Sequence, residues 1–96
     1  MKIKWTQKAQ SDLVGIARYI QADNVDAAKR LLINLRKRVL LLQDNVFLGR
    51  VVPEVSNKMI REVIYKNYRI IYRIKSDTIE IITVFEGHKL LDERNY

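Results

Sequence analysis

The chain has 96 residues, a net charge of +7, 48% hydrophobic and 30% charged residues, one histidine and no cysteine. Such a length and balance fit a single globular domain over 1–96 with a modest core. Without cysteine there are no disulfides, thiolate metal sites or thiol nucleophiles, and a lone histidine, His88, excludes a multi-histidine metal site; no metal ligand set and no cofactor motif is read. The opening Met1-Lys2-Ile3-Lys4-Trp5-Thr6 has no apolar signal region, and the longest apolar runs, such as Val39-Leu40-Leu41-Leu42, are too short to span a membrane. A cytoplasmic home is therefore expected. The positive charge favours an anionic partner such as nucleic acid, a ribosome or an acidic protein. A well-solvated basic surface would carry the same charge.

Lys2-Ile3-Lys4-Trp5 alternates polar and apolar and predicts a short first strand. Thr6 is placed to cap a helix. Ala9, Leu13, Ile16, Ala17 and Ile20 form one apolar stripe, predicting that helix over about 6–22. Asp23-Asn24 breaks it and supplies the next cap. Val25, Ala28, Leu32, Leu35, Val39 and Leu42 then recur at heptad spacing and predict a second helix of about 19 residues, ~28 Å long. The short connection folds the two helices into an antiparallel hairpin. Leu31, Ile33, Leu40 and Leu41 widen the second helix's apolar surface, so it is expected to touch both the first helix and a sheet.

Residues 46–57, with Gly49, Pro53, Ser56 and Asn57, read as an irregular connection. Three strands follow over 59–65, 68–75 and 78–85, with turns at Lys66-Asn67 and Ser76-Asp77. The order β-α-α-β-β-β predicts an α+β fold: a short N-terminal strand, an antiparallel helical hairpin, then a three-stranded antiparallel meander, with the helices on one face of the sheet. Alternation puts Tyr68, Ile70, Tyr72 and Ile74 under the helices. It puts Arg69, Ile71, Arg73 and Lys75 on an open, cationic face. A two-residue turn pairs Tyr65 with Tyr68 and sets Glu62 across from Ile71, diagonal to Arg69 and Arg73. Those three charges equally read as a surface ion-pair cluster of little energetic weight. The same register puts Arg61 on the helix side, where a long cation must snorkel past an edge.

Catalytic signals are sparse. There is no Gly-rich phosphate loop, HExxH or G-x-S-x-G, and Glu54 and Glu62 are isolated carboxylates. A metal-independent ribonuclease needs a base, an acid and cations for the phosphate. His88 has the reference pKa for either proton role, although a lone histidine beside Lys89 just after a strand is more often a solvated loop residue.

Trp5-Thr6, Ala9, Asp12-Leu13, Ile16 and Tyr19-Ile20 resemble the opening of the RelE/ParE superfamily of bacterial toxins. Leu48-Gly49-Arg50 and Val52-Pro53-Glu54 resemble its mid-chain loop. The likeness is best over Ile60-Arg61-Glu62-Val63 and Asn67 to Ile74, and runs on through Ile79, Ile81-Ile82 and Val84-Phe85. It implies the toxin of a type II toxin–antitoxin system, held in a heteromeric complex by a small, often acidic antitoxin. ParE-like members inhibit DNA gyrase, and RelE-like members cut mRNA in the ribosomal A site; either arrests growth. The long helical hairpin is closer to ParE. After the last strand, ParE-like chains often carry His-Gly-Arg-Arg, where this chain has Glu86-Gly87-His88-Lys89. RelE-like enzymes have a lysine-rich second strand, and Glu62 stands where a lysine would serve. On that alternative reading Arg69, Lys89 and Tyr96 would be the nuclease residues. A third reading is a decayed toxin that serves as antitoxin partner and co-repressor. The partner-binding residues expected on the ParE-like reading are Arg61, Arg69, Arg73, His88, Lys89, Leu32, Leu35 and Val39.

Overall fold

The computed structural model describes residues 1–87. Strand β1 (Lys2–Trp5) leads into helix α1 (Gln7–Gln21), then α2 (Val25–Leu40), which tightens into a 3₁₀ turn over Leu41–Gln43. Thr6 caps α1, its hydroxyl accepting from the Ala9 N–H, and Asn24 caps α2 by accepting from Ala27. The chain then forms β2 (Arg50–Val51), β3 (Ile60–Tyr65), β4 (Tyr68–Ile74) and β5 (Thr78–Glu86). The sheet order is β1-β5-β4-β3-β2. The predicted meander is its antiparallel centre. β1 joins parallel to β5, and β2, which lay within the connection read as irregular, adds the far edge.

The helical hairpin covers one face. Ala9 and Leu13 of α1 and Leu31, Leu35 and Val39 of α2 close over Val63, Ile70, Tyr72, Ile74, Ile79, Ile81 and Val84. Of the α1 stripe read from the sequence, Ala9 and Leu13 are buried and Ile16, Ala17 and Ile20 half-buried; of the heptad positions that follow, Ala28, Leu35, Val39 and Leu42 are buried, Leu32 is half-buried and Val25 exposed. The β3–β4 register pairs Tyr65 with Tyr68 and Glu62 with Ile71, as the two-residue turn required. Lys66 closes that turn at φ 54°, a left-handed conformation that is uncommon outside glycine but open to an unbranched side chain.

A bulge in β5 interrupts the β4–β5 ladder between Ile71 and Tyr72. Asp12 of α1 reaches the bulged strand, one carboxylate oxygen accepting from the Thr83 hydroxyl at 2.5 Å and the Val84 N–H at 3.0 Å. The Thr6 hydroxyl also donates to the carbonyls of Ile81 (2.8 Å) and Ile82 (3.0 Å). The first helix is therefore fastened to β5 by polar ties at the place where regular pairing lapses.

The opposite face of the sheet departs from the expected open surface. The connection between α2 and β3 folds across it, and Val52 and Val55 pack with Ile60, Ile71, Ile82 and Phe85 in a second, smaller core. Ile71 is fully buried there. The connection has no hydrophobic period, so its apolar residues announce no face; which side of the sheet it covers is fixed only on folding.

Candidate functional site

The arginines that the sequence set on an open face have separate fates. Arg69 is 6% exposed. Its guanidinium donates to both oxygens of Glu54 at 2.7 and 2.9 Å, and to Glu62 from Nε at 2.7 Å. Glu62, fully buried, also accepts from Nε of Arg50 at 2.6 Å, its cross-strand neighbour on β2. The Phe85 ring lies 5.3 Å from the guanidinium carbon. Among the described residues, two arginines and two carboxylates thus join in one network. Hydrogen bonds to Glu54, and then to Glu62, hold the Arg69 guanidinium above its ordinary pKa although burial pulls it down. The expectation of an exposed cation at Arg69 is corrected, and so is that of a weak surface cluster: Glu54 is carried onto the sheet by the folded connection and meets the arginine under cover.

Arg61 does snorkel, as its helix-side register requires. It donates to the Lys58 and Gly49 carbonyls, both at 2.9 Å, and lies 4.8 Å over the Phe47 ring. Beside it the Tyr72 hydroxyl donates to the Val46 carbonyl at 2.7 Å and accepts from the Gly49 N–H at 3.0 Å. A Cβ on Gly49 would come within 2.5 Å of the Glu62 carbonyl and 2.8 Å of the Tyr72 ring, so only glycine lets the loop approach this closely. Arg61, Tyr72 and Arg69 together hold the connection onto the sheet.

Arg73 is half-buried, paired across the sheet with Ile60 and Glu80. Leu35 and Val39 are 0% and 1% exposed, so their side chains belong to the core, and Leu32 alone of the three expected apolar contacts reaches a surface cleft. That cleft, about 530 Å³, has Trp5, Leu13 and Leu32 among its walls with Arg18 and Arg36. A second cleft of about 660 Å³ adjoins the ion-pair network, between Ile64, Pro53, Lys66 and Gly87. His88, Lys89 and Tyr96 lie outside the described residues. Among the described residues no group of His, Asp or Glu is arranged to hold a metal ion, and no helix is long and apolar enough to cross a membrane.

Sequence reasoning set Glu62 diagonal to Arg69 and Arg73, but it read Glu54 as an isolated carboxylate and gave Arg50 no role. The available signal was their place in the segments Leu48-Gly49-Arg50 and Val52-Pro53-Glu54. No spacing rule connects those segments to Arg69.

A helical hairpin over one face of a five-stranded sheet, with a loop tied over the other, is a fold this chain shares with a known structure. The structure described as "Chromosomal ParDE TA system from P. aeruginosa" superposes with a TM-score of 0.74 at 24% identity, covering 90% of this chain and 95% of that one. The family described as ParE toxin of type II toxin-antitoxin system, parDE, matches residues 3–91. A protein of Sinorhizobium fredii (strain NBRC 101917 / NGR234) named "Putative toxin Y4kP" is 34% identical over 90 residues, 92% of this chain and 90% of that protein. The chain belongs to the ParE toxin family of type II toxin–antitoxin systems.

Proposed function

We propose that the protein is the toxin of a bacterial toxin–antitoxin pair that binds and inhibits DNA gyrase in the cytoplasm, without chemistry of its own, and is neutralised by a cognate antitoxin. The observation that carries this reading is the family match over residues 3–91. The Arg69 network supports a binder over a nuclease. Arg69 resembles the RNA-phosphate arginine of RelE-like enzymes, yet here two carboxylates engage it, and a phosphate would have to displace both. The partner-facing groups proposed among the described residues are Leu32 and Arg73, with Arg61 acting through the loop it holds.

The test is supercoiling of relaxed plasmid by purified gyrase. Added protein is expected to abolish supercoiling, and the antitoxin to restore it. Unchanged supercoiling at molar excess overturns the gyrase reading. Codon-spaced cuts in translated messages, seen by primer extension after induction, would put the ribosome-dependent nuclease in its place. Harmless expression without the antitoxin would point to a decayed toxin.

A further inference from the structure

Carboxylates answer the buried arginine of the sheet, but not the cations of α2. From Lys29 to Gln43 the chain has Lys29, Arg30, Arg36, Lys37 and Arg38 and no acid. Arg38 turns toward the sheet, its guanidinium carbon 5.4 Å from the Tyr65 ring. The other four are exposed, and among the described residues no carboxylate lies within ion-pair distance of them. Helical periodicity sorts these four into two rows. Lys29 and Arg36 form the row bordering α1, where Arg36 reaches the cleft shared with Leu32 and Arg18. Arg30 and Lys37 form the row farther from α1. The members of each row stand two turns apart, a rise of about 10 Å. Ile33 and Leu40 run between the rows, 51% and 55% exposed. Asp26 lies on the same line in the first turn, where an acid suits the helix dipole.

We propose that this outer face of α2 binds duplex DNA directly, lying in the major groove with one cation row on each phosphate backbone. A helix with its side chains is about 10–12 Å across, and the major groove of B-DNA is about 12 Å wide. Two rows flanking a central line therefore reach both strands at once. The apolar line of Ile33 and Leu40 faces the groove floor, where thymine methyl groups offer apolar contact. Nothing in this face carries a hydrogen-bonding fork between the rows, so affinity comes from phosphates and sequence preference is slight. A second copy of the chain would bring +7 against +7. An anionic lipid surface calls for a broad apolar face below the cations, and here the apolar line is one residue wide. This surface is independent of the gyrase and antitoxin readings, and its failure would leave both standing.

The probe is a fluorescein-labelled DNA duplex of mixed sequence, about two helical turns long, titrated with the full chain at several salt concentrations. Anisotropy should show binding that weakens with salt at a log–log slope of about −3.6, for four phosphate contacts at about −0.9 each. Arg30→Gln with Lys37→Gln removes one row and should halve that slope to about −1.8. Lys2→Gln with Lys4→Gln removes the same charge from the exposed positions of β1 and should leave the slope near wild type. All four substitutions are at exposed positions, so the thermal midpoints should match and a lost fold would not be mistaken for lost binding. Failure to bind DNA at low salt overturns the proposal. So does an equal loss in both double variants, which would mean diffuse charge without a face. Equal or tighter binding of an RNA duplex, whose major groove is too narrow for a helix, overturns the groove geometry. Equal or tighter binding of polyglutamate or of anionic phospholipid vesicles makes the occupant an acidic protein or a membrane and overturns DNA.

Discussion

Arg69 is held between two carboxylates, one of them with no access to water. Removing the guanidinium leaves Glu62 and Glu54 facing each other across its empty place. Arg69→Ala is therefore expected to cost about 3–5 kcal/mol in urea unfolding. A paired replacement, Arg69→Met with Glu62→Leu, should recover most of that loss, because it removes the buried charges together. An exposed arginine would show neither effect. Tyr72 makes a second prediction. Burial, first, pushes its phenol above 10.0, against the lowering effect of the Gly49 N–H and the Arg61 charge. Tyr68 is raised too, by burial and then by Glu86 and Tyr19. The unfolded chain ionises these phenols near pH 10, and the folded chain only above it. The stability gained by keeping them neutral is whole below pH 10 and is lost as pH rises past 10 through the folded values. Tyr72→Phe should reduce that alkaline slope and, at neutral pH, cost about 1–2 kcal/mol for two lost hydrogen bonds. An unchanged slope in the variant would remove Tyr72 from this role.

At the scale of elements, α1 depends on one hydroxyl for two purposes. Thr6 accepts from the Ala9 N–H to start the helix and donates to β5 carbonyls beside the bulge. Thr6→Ala is expected to cost about 1–2 kcal/mol and Thr6→Ser much less, measured by thermal or denaturant melts. Equal losses in both variants would mean that the methyl group, not the hydroxyl, matters. The capping half of this role was legible in the sequence, because a threonine before an apolar helical stripe is a local signal. The sheet half was not, since it joins residues 75 and 76 positions apart. The same division holds for Asp12. It sat inside a recognised motif, but its acceptance from Thr83 and Val84 depends on a bulge that no periodicity foretold.

Over the whole molecule, the basic charge persists on the surface even though Arg69 is neutralised internally. α2 alone carries Lys29, Arg30, Arg36, Lys37 and Arg38, all exposed. Association with an acidic partner should therefore slow by roughly tenfold or more between low and high salt, as screening shortens from ~10 Å at 0.1 M to ~3 Å at 1 M. Stopped-flow rates that stay flat with salt would exclude electrostatic steering. Fold class and the order of elements were written in the sequence, because apolar period, caps and a tight turn act between near neighbours and need no distant partner. The β3–β4 register was equally legible, being fixed by a two-residue turn. What only the tertiary structure decided was the use of the arginine-bearing strands. The connection over residues 46–57 has no period to declare a face. Once it folded across the sheet, it carried Glu54 to Arg69 and the Phe47–Gly49 segment to Arg61. A buried arginine is tolerated only where carboxylates meet it. That encounter depends on contacts distant in sequence, which alternation along a single strand does not record.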